Sequence, residues 1–226
     1  MKLSNDTLNI LKNFASINTG IVFHQGKTIK TISGNKNILA EATITEEIPV
    51  EFGVYDLNNF LTVLSLHKEE PVIDFGDKMA VISGLSGRSR LNYRFCDPTM
   101  VVAPPAKPIA MPDPEIAFEL SDSDLDWVIR SSSVLSSPNI AVVSDGSKVS
   151  LQCFDATNDS ASTNTLDVAD GNGDRFKMIF KTEALKMIPG SYTVNISSKG
   201  VAHFRNKAKD LQYWITTEAG STFTGA

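Results

Sequence analysis

The chain has 226 residues, 42% apolar and 21% charged, with a net charge of −5 at neutral pH. That length can bury one large core or two of about 110 residues each, and no run approaches the ~18 apolar residues of a membrane span. The acidic balance excludes a chain-wide, non-specific electrostatic grip on nucleic acid, and the opening MKLSNDTLNI lacks the apolar core of an export signal.

The first predicted element is a helix over LSNDTLNILKNFASI, Leu3–Ile17, where Ser4 is a good N-cap and an acid falls in the first turn. At roughly 100° per residue, Leu8, Ile10, Leu11, Phe14, Ala15 and Ile17 fill one half of the wheel. Asn5, Asn9, Lys12, Asn13 and Ser16 fill the other, with Asp6 at its margin. GIVFHQGKTIKTI, Gly20–Ile32, reads as a β-hairpin turning at Gly26. VYDLNNFLTVLSL, Val54–Leu66, reads as a strand end and a short helix that buries Leu57, Phe60, Leu61, Val63 and Leu64 and shows Asn58, Thr62 and Ser65, none charged. Val72–Ile82 reads as a second hairpin. Helix faces with so few carboxylates on an acidic chain fit presentation to something negative; a sparsely charged solvent face fits equally well.

Next comes DPTMVVAPPAKPIAMPDP, Asp97–Pro114, which holds six of the ten prolines: Pro98, Pro104, Pro105, Pro108, Pro112 and Pro114. This strap is also a boundary in charge. Residues 1–107 carry eleven Lys and Arg against eleven Asp and Glu, and residues 108–226 carry ten against fifteen, so the second half holds the whole excess.

Beyond the strap the order repeats. Leu120–Val134 (LSDSDLDWVIRSSSV) matches the first helix, although it exposes Asp122 and Asp126 beside Arg130 as an i,i+4 pair. Ile140–Phe154 matches the first hairpin with Gly146 over Gly26, Ile179–Gly190 matches the strand-helix segment, and Tyr192–Phe204 matches the second hairpin. Four matches in one order, at offsets of 117 to 125 residues, read as a tandem duplication of a mostly β domain with two helices.

No catalytic or ligand motif survives inspection. Five residues separate Gly20 from Gly26-Lys27-Thr28 where a phosphate loop has four, and a strand intervenes. DGNGD, Asp170–Asp174, opens like a calcium loop, but Arg175 and Lys181 stand where that loop needs Gly and Glu, so a hairpin turn is expected. His24, His67 and His203 have no neighbour at metal-ligand spacing, and Ser131–Ser133 lack the glycines of a nucleophile elbow. Cys96 and Cys153 read as reduced structural thiols. No cofactor, metal or catalytic residue is expected.

MKLSNDT at the start, VYDLNNFLTVLSL in the middle and DPTMVVAPPAKPI in the strap resemble the DNA polymerase sliding clamps, or processivity factors, of large tailed phages of the myovirus type. MPDPEIAFEL after the strap and the final GSTFTGA depart from that pattern. The resemblance implies an α+β chain of two tandem clamp-type domains, residues 1–105 and 106–226, each a mostly antiparallel sheet with two helices, with an interdomain connector at about 97–114. It further implies a closed ring of three chains joined head to tail, helices lining the hole, around duplex DNA held without sequence specificity. Residues expected to face DNA are Lys12, Asn9, Asn13, Asn58, Arg130 and Lys186; Val101, Val102, Ile109 and Met111 on the strap are expected to dock partner tails. The implied partners are the viral DNA polymerase, an ATP-dependent clamp loader and late transcription factors, at replication forks in the cytoplasm of the infected bacterium. Two other classes fit the bare repeat: a β-rich ring or tail component of the virion, and a hydrolase with a dispersed site.

Overall fold

The computed structural model describes residues 1–67, 71–84, 86–105, 107 and 109–225. The chain divides into two compact units, Met1–Ala106 and Lys107–Ala226.

In the first unit Ser4 caps the first helix: its Oγ accepts from the Thr7 N–H, and α1 (Asn5–Ile17) turns Thr7, Ile10, Leu11, Phe14 and Ala15 into the core. The strands are β1 (Ile21–Phe23), β2 (Gly26–Ile32), β3 (Ile38–Ile48) and β4 (Phe52–Val54); after α2 (Leu57–Ser65) come β5 (Val72–Phe75), β6 (Met79–Ser83) and β7 (Arg90–Arg94). β1 pairs with β4, β2 with β3, and β6 lies between β5 and β7, all antiparallel. A cluster of rings closes the core: Phe23 stacks on Phe52 at 4.6 Å, and Phe52 touches Phe95 at 4.6 Å and Phe75 at 5.3 Å.

A carboxylate from β3 completes the cap of α1. Glu46 accepts from the Ser4 N–H with one oxygen and from the Thr7 hydroxyl at 2.6 Å with the other. Partial burial pushes this carboxyl up, but the bonds from Thr7 and Ser4 outweigh it and hold the group at about 2. A depressed carboxyl stabilises the fold above its ordinary 4.5, and that contribution is lost as pH falls through about 2. Because the site is partly solvated, Glu46→Gln is expected to cost only about 1–2 kcal/mol at neutral pH. In urea melts the gap between variant and parent should narrow between pH 4.5 and 2; a gap independent of pH would show that the charge is not its source.

The second unit begins with β8 (Ile116–Leu120) and α3 (Asp122–Leu135), capped by Ser121 Oγ, which accepts from the Asp124 N–H. β9 (Asn139–Asp145), β10 (Lys148–Phe154), β11 (Asn164–Asp170) and β12 (Arg175–Lys181) follow, then a 3-10 turn at Thr182–Leu185. β13 (Tyr192–Ser197), β14 (Val201–Asn206), β15 (Leu211–Thr216) and β16 (Thr222–Gly225) complete it. The strands run β11-β10-β9-β12-β16 in one sheet, and β15, β14, β13 and β8 are neighbours in that order in the other. Fully buried Tyr192 and Tyr213 anchor the core. The Tyr192 hydroxyl donates to the Ile188 carbonyl, Tyr213 Oη accepts from the Ile188 N–H at 3.2 Å, and burial raises Tyr192 to about 12.

The duplication shows in the strands themselves. β8 pairs antiparallel with β13, and in the first unit Met1 occupies the matching place, its carbonyl accepting from the Ile73 N–H of β5 at 2.8 Å. The two later hairpins, β5-β6 and β13-β14, form as expected.

Three expectations are corrected. Gly20–Ile32 is not a hairpin: β1 joins β4 and β2 joins β3, whereas its counterpart β9-β10 pairs along its length. The difference lies in the turn. Asp145 Oδ1 accepts from the Ser147 and Lys148 N–H groups and folds β10 back on β9, while the first unit has His24 in that region, engaged instead with Glu51 at 2.7 Å. The second helix of the second unit shrinks to the four-residue 3-10 turn, so among the described residues this unit has one α-helix where two were expected. α2 is capped by Asp56, which accepts from the Asn59 N–H at 2.8 Å; Thr182–Leu185 has no side-chain cap and ends at Lys186, whose φ of −74° and ψ of 59° leave the helical region, and a residue before proline, here Ile188, is disfavoured in a helix. Finally, Asp170–Asp174 is not a hairpin turn, because β11 and β12 flank β10 and β9 on opposite sides. The segment crosses the end of that hairpin, Gly171 N–H donating to Ser147 O at 2.7 Å and Gly173 N–H to Gly146 O at 3.0 Å.

Candidate functional site

Two groups of residues form the candidate site: the polar helix faces and the strap. In the first unit α1 and α2 are packed neighbours, and the Leu57 N–H at the start of α2 donates to the Thr19 carbonyl beyond α1 at 2.7 Å. Burying the apolar stripes turns the polar ones outward. Asn5, Asp6, Asn9, Lys12 and Ser16 are exposed on α1, and Asn58, Asn59, Thr62 and Ser65 on α2. Asn13 is half-buried, so of the expected residues on these helices Asn9, Lys12 and Asn58 stand free of the core and Asn13 does not. Asn59, adjacent to Asn58 and not among the residues expected from the sequence, is exposed with them.

On the second unit's α3, Arg130 is exposed but held at 2.7 Å by Asp126, an exposed pair that contributes little to stability and leaves the cation able to exchange partners. Lys186 is exposed just after the 3-10 turn. A groove of about 540 Å³ lies between α3 and that turn, lined by Ile129, Ser133, Asn139, Lys181, Glu183 and Lys186 among others. Lys186 also lines an adjoining 310 Å³ groove with Asp122 and Asp126. Lys181 was missed in the sequence because it ends a strand, and only the strand-to-turn geometry brings it beside Lys186.

The strap's first residues lie against the first unit through two glycines. A Cβ at Gly53 would stand 2.8 Å from the Cys96 carbonyl, and one at Gly20 would stand 3.2 Å from Val101 Cγ1. Asn18 Nδ2 donates to the Val102 carbonyl at 2.9 Å and also to Ile32 O at 2.9 Å. Six prolines favour an extended strap, but Pro98–Met100 forms a 3-10 turn capped by Asp97, which accepts from Thr99 N–H at 2.9 Å. Proline is tolerated there because the first turn needs no N–H. Ala106 and Pro108 lie outside the described residues. Val102 is 48% exposed, Val101, Ile109 and Met111 are half-buried, and Met100, passed over in the sequence, is 63% exposed because the turn swings it outward. Val101 and Val102 fall in the first unit, Ile109 and Met111 in the second.

Among the described residues no group of three or more His, Cys, Asp or Glu could hold a metal ion, and no helix is long and apolar enough to cross a membrane.

The chain as a whole is similar to known proteins. Residues 4–103 match the family model described as DNA polymerase processivity factor, and residues 117–219 match the gp45 sliding clamp, C terminal. The chain is 34% identical to the sliding clamp of Vibrio phage KVP40 over 225 residues, covering 97% of this chain and 100% of that protein. It is 35% identical to the sliding clamp of Enterobacteria phage T4 over 229 residues, covering 98% and 99%. Among solved structures, the A. fulgidus PCNA bound to the C-terminal region of FEN-1 superposes with a TM-score of 0.69 at 11% identity, covering 95% of this chain and 96% of that one, which is a likeness of fold.

Proposed function

The chain belongs to the sliding-clamp family of large tailed phages, and from this we propose that three copies close into a ring around duplex DNA. It is a sliding clamp, a processivity factor for DNA polymerase in phage DNA replication, and it acts in the infected host cell. The alternative of a virion ring or tail component is not favoured, since both halves match clamp models. Its relatives are accessory factors; that this chain has no catalysis of its own, is placed by an ATP-dependent loader, works at cytoplasmic replication forks and serves late transcription factors completes the proposal.

The observation that carries the mechanism is the contrast between an acidic chain and the helix faces of the first unit, which are nearly free of acid. α1 and α2 expose one carboxylate, Asp6, within their spans, along with seven amide and hydroxyl side chains besides Lys12. Amides and hydroxyls reach phosphate oxygens without fixing a base sequence, and few cations keep each contact weak enough to slide. Retention then comes from encirclement. The 24.5 kDa chain should sediment as a trimer of about 73 kDa. After loading it should stay on circular DNA and run off when the circle is cut; tight binding to short linear duplex at physiological salt would overturn encirclement. Lys12→Glu should leave the trimer folded, slow loading or sliding, and reduce the salt slope by roughly one unit. Loss of the trimer in this variant would make Lys12 structural instead.

A further inference from the structure

When Asn or Asp precedes Gly, no Cβ on the glycine hinders its nitrogen from reaching the side-chain carbonyl carbon before it and closing a succinimide ring. The chain has three such steps: Asp145-Gly146, Asp170-Gly171 and Asn172-Gly173. The fold brings all three to one corner of the second unit, where the crossover from β11 to β12 lies over the β9-β10 turn. Each glycine nitrogen is engaged there. Gly146 N–H donates to Ser144 Oγ at 3.0 Å, Gly171 N–H to Ser147 O at 2.7 Å and Gly173 N–H to Gly146 O at 3.0 Å. To attack, such a nitrogen must lose its proton and swing toward the side chain, and these bonds oppose both.

The three steps are unequal. An ionised carboxylate is a poor electrophile, and Asp145 is held in that form. Bonds from the Ser147 hydroxyl and from the N–H groups of Ser147 and Lys148 hold its carboxyl at about 2. Asn172 instead offers a neutral amide with ammonia as leaving group, and the residue is exposed. That amide also ties the crossover to itself: Nδ2 donates to Asp174 Oδ2 at 2.8 Å, and Oδ1 accepts from the Asp174 N–H at 3.1 Å.

We propose that Asn172 is a self-modification site, deamidating when the crossover lifts from the β9-β10 turn, and that the product keeps the crossover from settling back. The inference concerns the second unit alone and does not rest on the ring. In the lifted state Gly173 N gives its proton to solvent and attacks Asn172 Cγ. A C–N bond forms, the bond from Cγ to Nδ2 breaks, and the amide nitrogen takes a proton from water and leaves as ammonia. Water then adds to either carbonyl of the succinimide and breaks one of its C–N bonds, giving aspartate or isoaspartate at this position. Neither refits. The new carboxylate faces Asp174 Oδ2, to which the amide had donated. Isoaspartate also adds a carbon to the main chain where there is no slack, since a Cβ on Gly171 would stand 2.5 Å from Gly146 O and one on Gly146 would stand 2.9 Å from Gly173 O.

The test is peptide mapping by mass spectrometry of the full chain aged in mildly alkaline buffer, with and without denaturing urea. Asn172 should be the first asparagine of the native chain to convert. It should still convert on the order of 10- to 100-fold more slowly than in urea, because the crossover opens against backbone bonds and close packing. Hydrogen exchange at the Gly173 N–H should be protected by a matching factor. Gly171→Ala pushes the crossover off the turn and should speed conversion severalfold, where Gly34→Ala does not; if the Gly171 variant fails to fold, sub-denaturing urea on the parent supplies the same comparison. Asn172→Gln, whose longer side chain closes a ring poorly, should stay unconverted. The converted fraction, separated by its added charge on an anion exchanger, should melt below the unconverted one. Equal rates in native and urea-treated chains, conversion led by another asparagine, or the same charge gain in the Gln variant would overturn the site. Equal melting of the two fractions would show that the product refits and would overturn the locked-open crossover.

Discussion

Val102→Ser combined with Ile109→Ser is expected to abolish stimulation of long-product synthesis by the polymerase, with the mass of the ring and its circular dichroism unchanged. The strap makes this expectation specific. Its prolines restrict the chain before any partner arrives, so little entropy is lost on docking. The Val102 carbonyl is tied to Asn18 while its side chain is 48% exposed, which fixes the backbone and leaves the apolar group available. Ile109 is half-buried and offers part of its surface. A partner tail covering a few hundred Å² at roughly 25 cal/mol per Å² gains several kcal/mol before ordering costs, enough for a contact that must form and break at a fork. Serine removes most of that gain without inserting a charge, and neither side chain is in a core, so the fold should hold. Met100, the most exposed apolar residue of the 3-10 turn, provides the second arm: Met100→Ser alone should weaken stimulation severalfold. If stimulation survives the double change, the docking pocket lies elsewhere and these residues only pin the connector.

Gly171→Ala should cost about 2–3 kcal/mol and lower the melting temperature by roughly 5–10 °C. The added Cβ would stand 2.5 Å from the Gly146 carbonyl oxygen and 2.7 Å from its carbon, so backbone must move against backbone. The crossover from β11 to β12 passes over the β9-β10 turn at van der Waals distance, and Gly146, at φ +99°, would itself meet Gly173 O at 2.9 Å if it carried a Cβ. Gly34→Ala is the control, because nothing lies within 4 Å of its added Cβ and its backbone is not left-handed. Equal melting temperatures for the two variants would show that the crossover yields without strain.

Several features of this protein are settled by local sequence. Ser4 and Ser121 cap their helices because a hydroxyl three residues ahead of an N–H is a local arrangement, and the apolar stripe of α1 follows from the period of the helix. The β5-β6 and β13-β14 hairpins, the proline strap, the charge division and the duplicated order are likewise legible along the chain, and the resemblance to clamps rests on short contiguous stretches. Partner choice is not. A strand's alternation says which face is buried but not which strand lies beside it, so β1 taking β4, and the Asp170–Asp174 crossover, were decided only when distant segments met. The same holds for Glu46, whose bonds to Ser4 span 42 residues, and for Lys181 beside Lys186, which needs a strand end and a turn in register. It holds for Met100, whose exposure depends on a 3-10 turn. Local periodicity and capping act over a few residues, whereas pairing, close approach and exposure are settled by contacts between residues far apart in the chain.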